Sequence, residues 1–226
     1  GLRYCGKIQT EEQLQKYVNK YKNNSSIGTL NNLRLGDNMF EDVNKDGKLD
    51  AEDLVYLGTD DPKMQFSINA GGERKGLDFS IVFQGAGKRT VWREKSTWRI
   101  PMRTTYQNGS NQFIGNTWTP ENTGAYYPAL TNKSELNNYN YQCSSWSVED
   151  GSYLRLKNVT LGYTLPSSLL AKTKVLSKVR FYVSGSDLWE HSNISDGWDP
   201  EASSEVDNAK RYPFLRTVTF GLNLTF

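Results

Sequence analysis

Arg216 to Phe226 reads RTVTFGLNLTF. Val218, Phe220, Leu222, Leu224 and Phe226 share one parity, and Thr217, Thr219, Gly221, Asn223 and Thr225 share the other. A period of two means a β-strand whose two faces meet different surroundings. Final residues of soluble domains usually fray. An apolar strand that runs to a last aromatic instead fits the closing strand of an outer-membrane barrel, with its apolar face toward lipid and its polar face toward the lumen.

Four more segments alternate in the same way. Lys63–Ala70 sets Met64, Phe66, Ile68 and Ala70 against Lys63, Gln65, Ser67 and Asn69. Leu77–Gly85 sets Leu77, Phe79, Ile81 and Phe83 against Asp78, Ser80, Val82 and Gln84, and Val179–Gly185 repeats the pattern with Val179, Phe181 and Val183. In Tyr153–Thr164 the apolar parity changes between Leu154/Leu156 and Val159/Leu161/Tyr163, so a bulge or a membrane boundary is expected near Asn158.

The links between these strands alternate in length. Residues 71–76 and 165–178 are short connectors; 86–152 and 186–215 are long, polar and aromatic. All the long links therefore leave one end of the strands, the asymmetry of barrels with short periplasmic turns and long extracellular loops. With Phe226 at the periplasmic side, residues 1–62 are extracellular, and 63–226 supplies the strands with extracellular loops at about 86–152 and 186–215. A β-sandwich also alternates, so a secreted, calcium-stabilised β-sandwich that binds glycans remains the alternative.

The composition fits either. The 226 residues carry 27 basic and 25 acidic side chains, a net charge of +2, which points to neither nucleic acid nor anionic lipid as the main partner. Mean hydropathy is −0.68, and no window approaches the roughly 18 apolar residues of a spanning helix. A barrel strand shows only alternate residues to lipid, so this leaves a barrel open. No signal peptide opens the chain, GLRYCGKIQT, so an exported protein is expected to have a further N-terminal portion. Cys5 and Cys143 allow a disulfide or two free thiols. His191 is the single histidine. No nucleophile–base order, phosphate-binding glycine loop or Cys/His zinc spacing occurs, so the chain is read as non-enzymatic, with no catalytic residues and no organic cofactor.

Thr10-Glu11-Glu12-Gln13 fits a capping box and starts a helix through about Tyr21, expected on the solvated surface. Farther on, Asp42-Val43-Asn44-Lys45-Asp46-Gly47-Lys48-Leu49-Asp50-Ala51-Glu52-Asp53 has the spacing of a calcium loop. Oxygen donors fall at positions 1, 3, 5, 9 and 12 (Asp42, Asn44, Asp46, Asp50, Asp53), Lys48 offers its carbonyl, and Gly47 permits the sharp turn. Asp53 is a shorter arm than the usual glutamate, and no amphipathic helix enters the loop, so the expectation is a structural Ca²⁺ site and not a sensor. Trp92, Trp98, Trp118, Trp146, Trp189 and Trp198 fall in the long connectors. Trp92, Trp98, Trp118, Trp146 and Trp198 are candidates for contact with substrate or a lid, set against the plainer reading that long loops pack aromatics on one another.

Several segments together resemble one family. GDNMFEDVNKDGKLDAEDLVYLGTDDPKMQFSINAGGERKGLDFSIVFQG, SYLRLKNVTLGYTLPSSLL, VRFYVSGSDLW, WDPE and YPFLRTVTFGLNLTF are similar, in this order, to the late strands of SusC/RagA-type TonB-dependent transporters. The resemblance covers about 36–88 and 151–226. It implies the last five or so strands of a large plugged barrel in the Gram-negative outer membrane. The family imports oligosaccharides or peptides, using energy delivered through TonB and a SusD-like surface lipoprotein as lid. The long loops would face lid and substrate, and Phe220, Leu222, Leu224 and Phe226 would form the barrel-assembly signal. Plug and TonB-contacting segments have no counterpart among these residues.

Overall fold

The computed structural model describes residues 1–21, 25, 30–92, 111–172, 175–194, 199–201 and 215–226. In chain order the elements are β1 (Tyr4–Lys7), α1 (Glu11–Tyr21), β2 (Asn38–Phe40), β3 (Met64–Arg74), β4 (Leu77–Gly87), β5 (Thr90–Trp92), α2 (Ser134–Asn140), β6 (Val148–Asp150), β7 (Tyr153–Thr164), α3 (Ser167–Leu170), β8 (Lys178–Ser192) and β9 (Thr217–Thr225). The described residues divide into two compact units: one from Gly1–Asp60 and Thr90–Glu149, the other from Asp61–Arg89, Asp150–Glu201 and 215–226.

The second unit is one antiparallel sheet in the order β3-β4-β7-β8-β9. A two-residue turn, Lys75–Gly76, joins β3 to β4 with φ of 52° and 82°. Positive φ at both central positions is the hairpin geometry whose twist matches the strands. Residues 71–74, read as connector in the sequence, continue β3 to Arg74 because both strands pair to the turn, Arg74 opposite Leu77. Likewise β8 runs on to Ser192 beside β7, so the 186–215 link begins later than its sequence suggests, and Trp189 lies on a strand.

The parity change in β7 is a bulge. Against β4 the register skips between Val82/Asn158 and Phe83/Leu156, leaving Lys157 as the extra residue. Against β8 it skips between Leu156/Trp189 and Asn158/Ser186, where Asp187 has φ 56°. The extra residues restore the pattern. Leu154 and Leu156 share a face with Val159, Leu161 and Tyr163, while Arg155 faces the polar side with Gln84 and Glu190.

The first unit has its own core. Leu14, Tyr17 and Tyr21 of α1 meet Leu2, Ile8, Phe40 and Leu49, and α2 adds Leu136 and Tyr139. Thr10 Oγ1 accepts from Gln13 N at 3.2 Å, the N-cap bond expected, but Gln13 Oε1 reaches Gln9 N. One flank of this helix is thus buried and only the other solvated. Asn38 donates twice to Asn140, from N to Oδ1 at 2.8 Å and from Nδ2 to the backbone O at 2.9 Å, and Asn140 Nδ2 donates to Asp37 Oδ1 at 2.8 Å. Buried polar groups need such partners. These contacts correct the division at residue 62: the described part of 86–152 folds largely with 1–60, because α2 completes that core. No disulfide joins Cys5 and Cys143.

Candidate functional site

The faces of the five-stranded sheet differ. Ile68, Phe79, Leu161, Phe181, Val218, Phe220 and Leu222 lie on one face by register and are all exposed, Phe220 by 83%. Leu224 and Phe226 continue the row, both exposed. Trp189 joins this face, paired with Leu156. An open apolar face of this extent is rare in water.

The opposite face is built from polar groups whose neighbours are cut to fit. Arg180 of β8 reaches across β7 to Asp78 of β4 in a bidentate pair, Nε to Oδ1 at 2.9 Å and Nη2 to Oδ2 at 2.5 Å. Gly162 lies beneath; a Cβ there would come within 2.6 Å of Arg180 Nε and Asp78 Oδ1. The Arg180 guanidinium also lies 5.0 Å from the Tyr182 ring, and that ring covers Gly221.

Beyond the bulge, Arg155 has no exposed side-chain surface and holds three carboxylates: Glu190 of β8, Asp199 at 2.7 Å and Glu201 at 2.8 Å. Lys157 adds contacts to Glu201 at 3.3 Å and Asp187 at 3.5 Å. The two acids of the WDPE stretch are therefore fastened to the polar face. Sequence reading missed this cluster, although the parity of Arg155 against Leu154 and Leu156 places it on that face.

In the first unit the calcium-type loop is closed by its own side chains. Asp42 Oδ2 accepts from Gly47 N at 3.0 Å. Asn44 Oδ1 accepts from Asp46 N, Asp46 Oδ1 from Lys48 N, and Asp50 Oδ1 from Glu52 N. Asp53, 1% exposed, takes Val43 N at 2.7 Å and Asp50 N at 3.1 Å. Leu49, at position 8, is fully buried and bridges to Ser25. Burial would raise the Asp42 carboxyl, but the Gly47 amide and the Lys20 ammonium at 3.4 Å outweigh it and hold it below the usual range. Gly47 has φ 86° and lies in open space, so the glycine serves the turn alone.

The tryptophan candidates divide. Trp118 is buried, with Nε1 donating to Gln9 Oε1 at 2.8 Å and its ring against Gly36, where a Cβ would lie 2.5 Å away. Trp146 is buried among Tyr126, Tyr127 and Tyr141. Both therefore pack against residues of their own unit. Trp92 is half-buried in β5. Trp98 and Trp198 lie outside the described residues.

No family model matches the chain. It is 32% identical over 204 residues to TonB-dependent receptor P3 of Formosa agariphila, covering 84% of this chain and 19% of that protein. It is 28% identical over 192 residues to TonB-dependent receptor SusC of Bacteroides thetaiotaomicron, covering 84% and 18%. The RagAB peptide importer in its open-open state matches the whole chain at a TM-score of 0.69 and 22% identity, over 22% of the importer chain. The chain thus spans about a fifth of the length of the curated relatives it matches, and its fold is that of the corresponding part of a TonB-dependent barrel.

Proposed function

We propose that this chain, which by sequence and fold is homologous to about a fifth of a SusC/RagA-like TonB-dependent transporter, is a barrel portion of an outer-membrane nutrient importer. The observation that carries the proposal is the five-stranded sheet with one continuous exposed apolar face and a polar face opposite. In water that face would be a liability; in a barrel it meets lipid, and the polar face lines the lumen. β3 and β9 stand at the edges of the sheet, where a complete barrel adds its remaining strands.

On this reading the protein catalyses no reaction. The cargo is an oligosaccharide or a peptide, its entry is driven through TonB, and a SusD-like surface lipoprotein closes over the loop side. By strand topology, residues 1–62 and the long links 86–152 and 186–215 then lie outside the membrane, on the side where substrate and lid arrive. The Asp78–Arg180 pair and the Arg155 cluster present fixed charges to the lumen, and Trp189 sits where the lipid face meets the outer interface, a usual place for an aromatic girdle. Kinship with transporters and receptors, together with the exposed apolar face, supports this.

Fractionation of cells expressing the full-length protein tests the proposal. It should sediment with outer membranes, need detergent for extraction, and co-purify with a lipoprotein of the SusD type. A full-length protein that stays in solution without detergent after membranes are pelleted would overturn it.

A further inference from the structure

The loop 42–53 is not used by the transport reading, and one of its atoms is left in an unusual state. Asp42 is 6% exposed, and its Oδ2 is satisfied by Gly47 N at 3.0 Å and Lys20 Nζ at 3.4 Å. Its Oδ1, equally buried, has no hydrogen-bond partner. A buried carboxylate oxygen without a donor is costly and calls for an explanation. Position 1 of a calcium loop supplies one: one oxygen holds the turn and the other faces the ion.

We propose that residues 42–53 bind a hard divalent cation, calcium, through Asp42 Oδ1, the Asn44 amide oxygen, the Asp46 and Asp50 carboxylates, the Lys48 carbonyl and Asp53. The oxygens of Asn44, Asp46, Asp50 and Asp53 that accept backbone N–H bonds keep a second lone pair for a metal. Among the described residues no three acidic, histidine or cysteine side chains stand gathered as a metal cluster. Binding therefore has to draw these donors inward, which predicts that an ion tightens the loop. Six oxygens of mixed type on a pliable loop favour calcium, since magnesium demands strict octahedral geometry and holds its water. Phe40, two residues before the loop, and Leu49, within it, are both buried in the first unit's core, so the ion clamps the surface of that core. The inference does not depend on what the barrel transports.

The test is hydrogen exchange on the full-length protein in detergent, followed on peptides covering 42–54, in millimolar calcium, in chelator and in magnesium. Calcium should slow exchange there about tenfold or more, because a ligand above its Kd suppresses opening in proportion to its excess. Asp46→Asn changes an exposed side chain and should abolish the slowing, while peptides from β8 and β9 exchange as before. Asp42→Asn should do the same. Equal exchange in calcium and chelator overturns the site. Slowing that survives Asp46→Asn overturns the ligand set, and equal slowing by magnesium overturns the assignment of the ion.

Discussion

Arg180 and Asp78 meet across a strand to which neither belongs. They come from β8 and β4, and their bidentate pair crosses β7 at Gly162, where any side chain would collide with both. A planar guanidinium can hold both carboxylate oxygens only if nothing lifts it off the strand. The glycine is thus part of the ion pair, and three strands are tied at one point.

Gly162→Val should break that tie. Adding a branched side chain where a Cβ already clashes forces Arg180 or the backbone aside, at about 1–3 kcal/mol. The same substitution in an Arg180→Ala background should cost less, because the obstacle is gone and the two changes are coupled. Thermal unfolding of the full-length protein in detergent, run as a double-mutant cycle, measures this. Additive costs would mean that Gly162 serves something other than the pair.

The exposed apolar face yields a second test. Phe220→Arg puts a charge at mid-strand on the proposed lipid face, where it costs about 2–4 kcal/mol in a bilayer. Thr219→Arg, one residue away on the other face, should be tolerated. The yield of folded, heat-modifiable barrel from outer membranes should fall for the first variant and hold for the second. Equal effects would remove the lipid assignment of this face.

The strands were legible because alternation is local: each of the five long strands shows its parity within a few residues, and the bulge at Lys157 appears as a parity change. Their ends were less so, since β3 and β8 extend through residues that only partner pairing keeps extended. The first unit was largely hidden. α2, SELNNYN, has little apolar periodicity, and two of its asparagines are buried because Asn38, Asp37 and Thr131 satisfy them. Contacts spanning a hundred residues leave no trace in composition. For the same reason the tryptophans looked like ligand platforms, although Trp118 and Trp146 are core. The turn at 42–53 was visible because its calcium-type spacing is written in consecutive residues, whereas the Arg155 cluster gathers acids from two distant segments.

Tyr17 gives a pH-dependent prediction. Its hydroxyl accepts from Phe40 N at 2.9 Å and lies 3.2 Å from Phe40 O and 3.1 Å from the Tyr139 hydroxyl. Burial raises both phenols above their ordinary range. In the unfolded chain they ionise at about pH 10. Above that pH the unfolded state binds fewer protons than the folded one, so their stabilising contribution is complete below about pH 10 and is lost as pH rises toward the folded values. Tyr17→Phe should cost about 1–3 kcal/mol, since it leaves the buried Phe40 N–H without its acceptor, and should make the alkaline loss shallower. Protease resistance of the first unit in the full-length protein between pH 8 and 11, with tyrosinate absorbance alongside, measures both effects.

Arg155 ties three carboxylates together on the polar face. It is fully buried and faces Glu190, Asp199 and Glu201, each about a quarter exposed. Arg155→Met leaves three carboxylates beside one another with Lys157 as their remaining cation in the cluster. Opening a buried pair costs about 3–5 kcal/mol, less here because the acids keep some water. The segment 199–201 should detach from β7 and become sensitive to protease, and the melting temperature of the full-length protein should drop. Arg155→Lys should not restore it, because an ammonium cannot present separate N–H groups to three acceptors in one plane. Adding Glu190→Gln to Arg155→Met should recover part of the loss by removing one uncompensated charge. Retention of protease resistance at 199–201 in Arg155→Met would mean that contacts other than these ion pairs hold the segment.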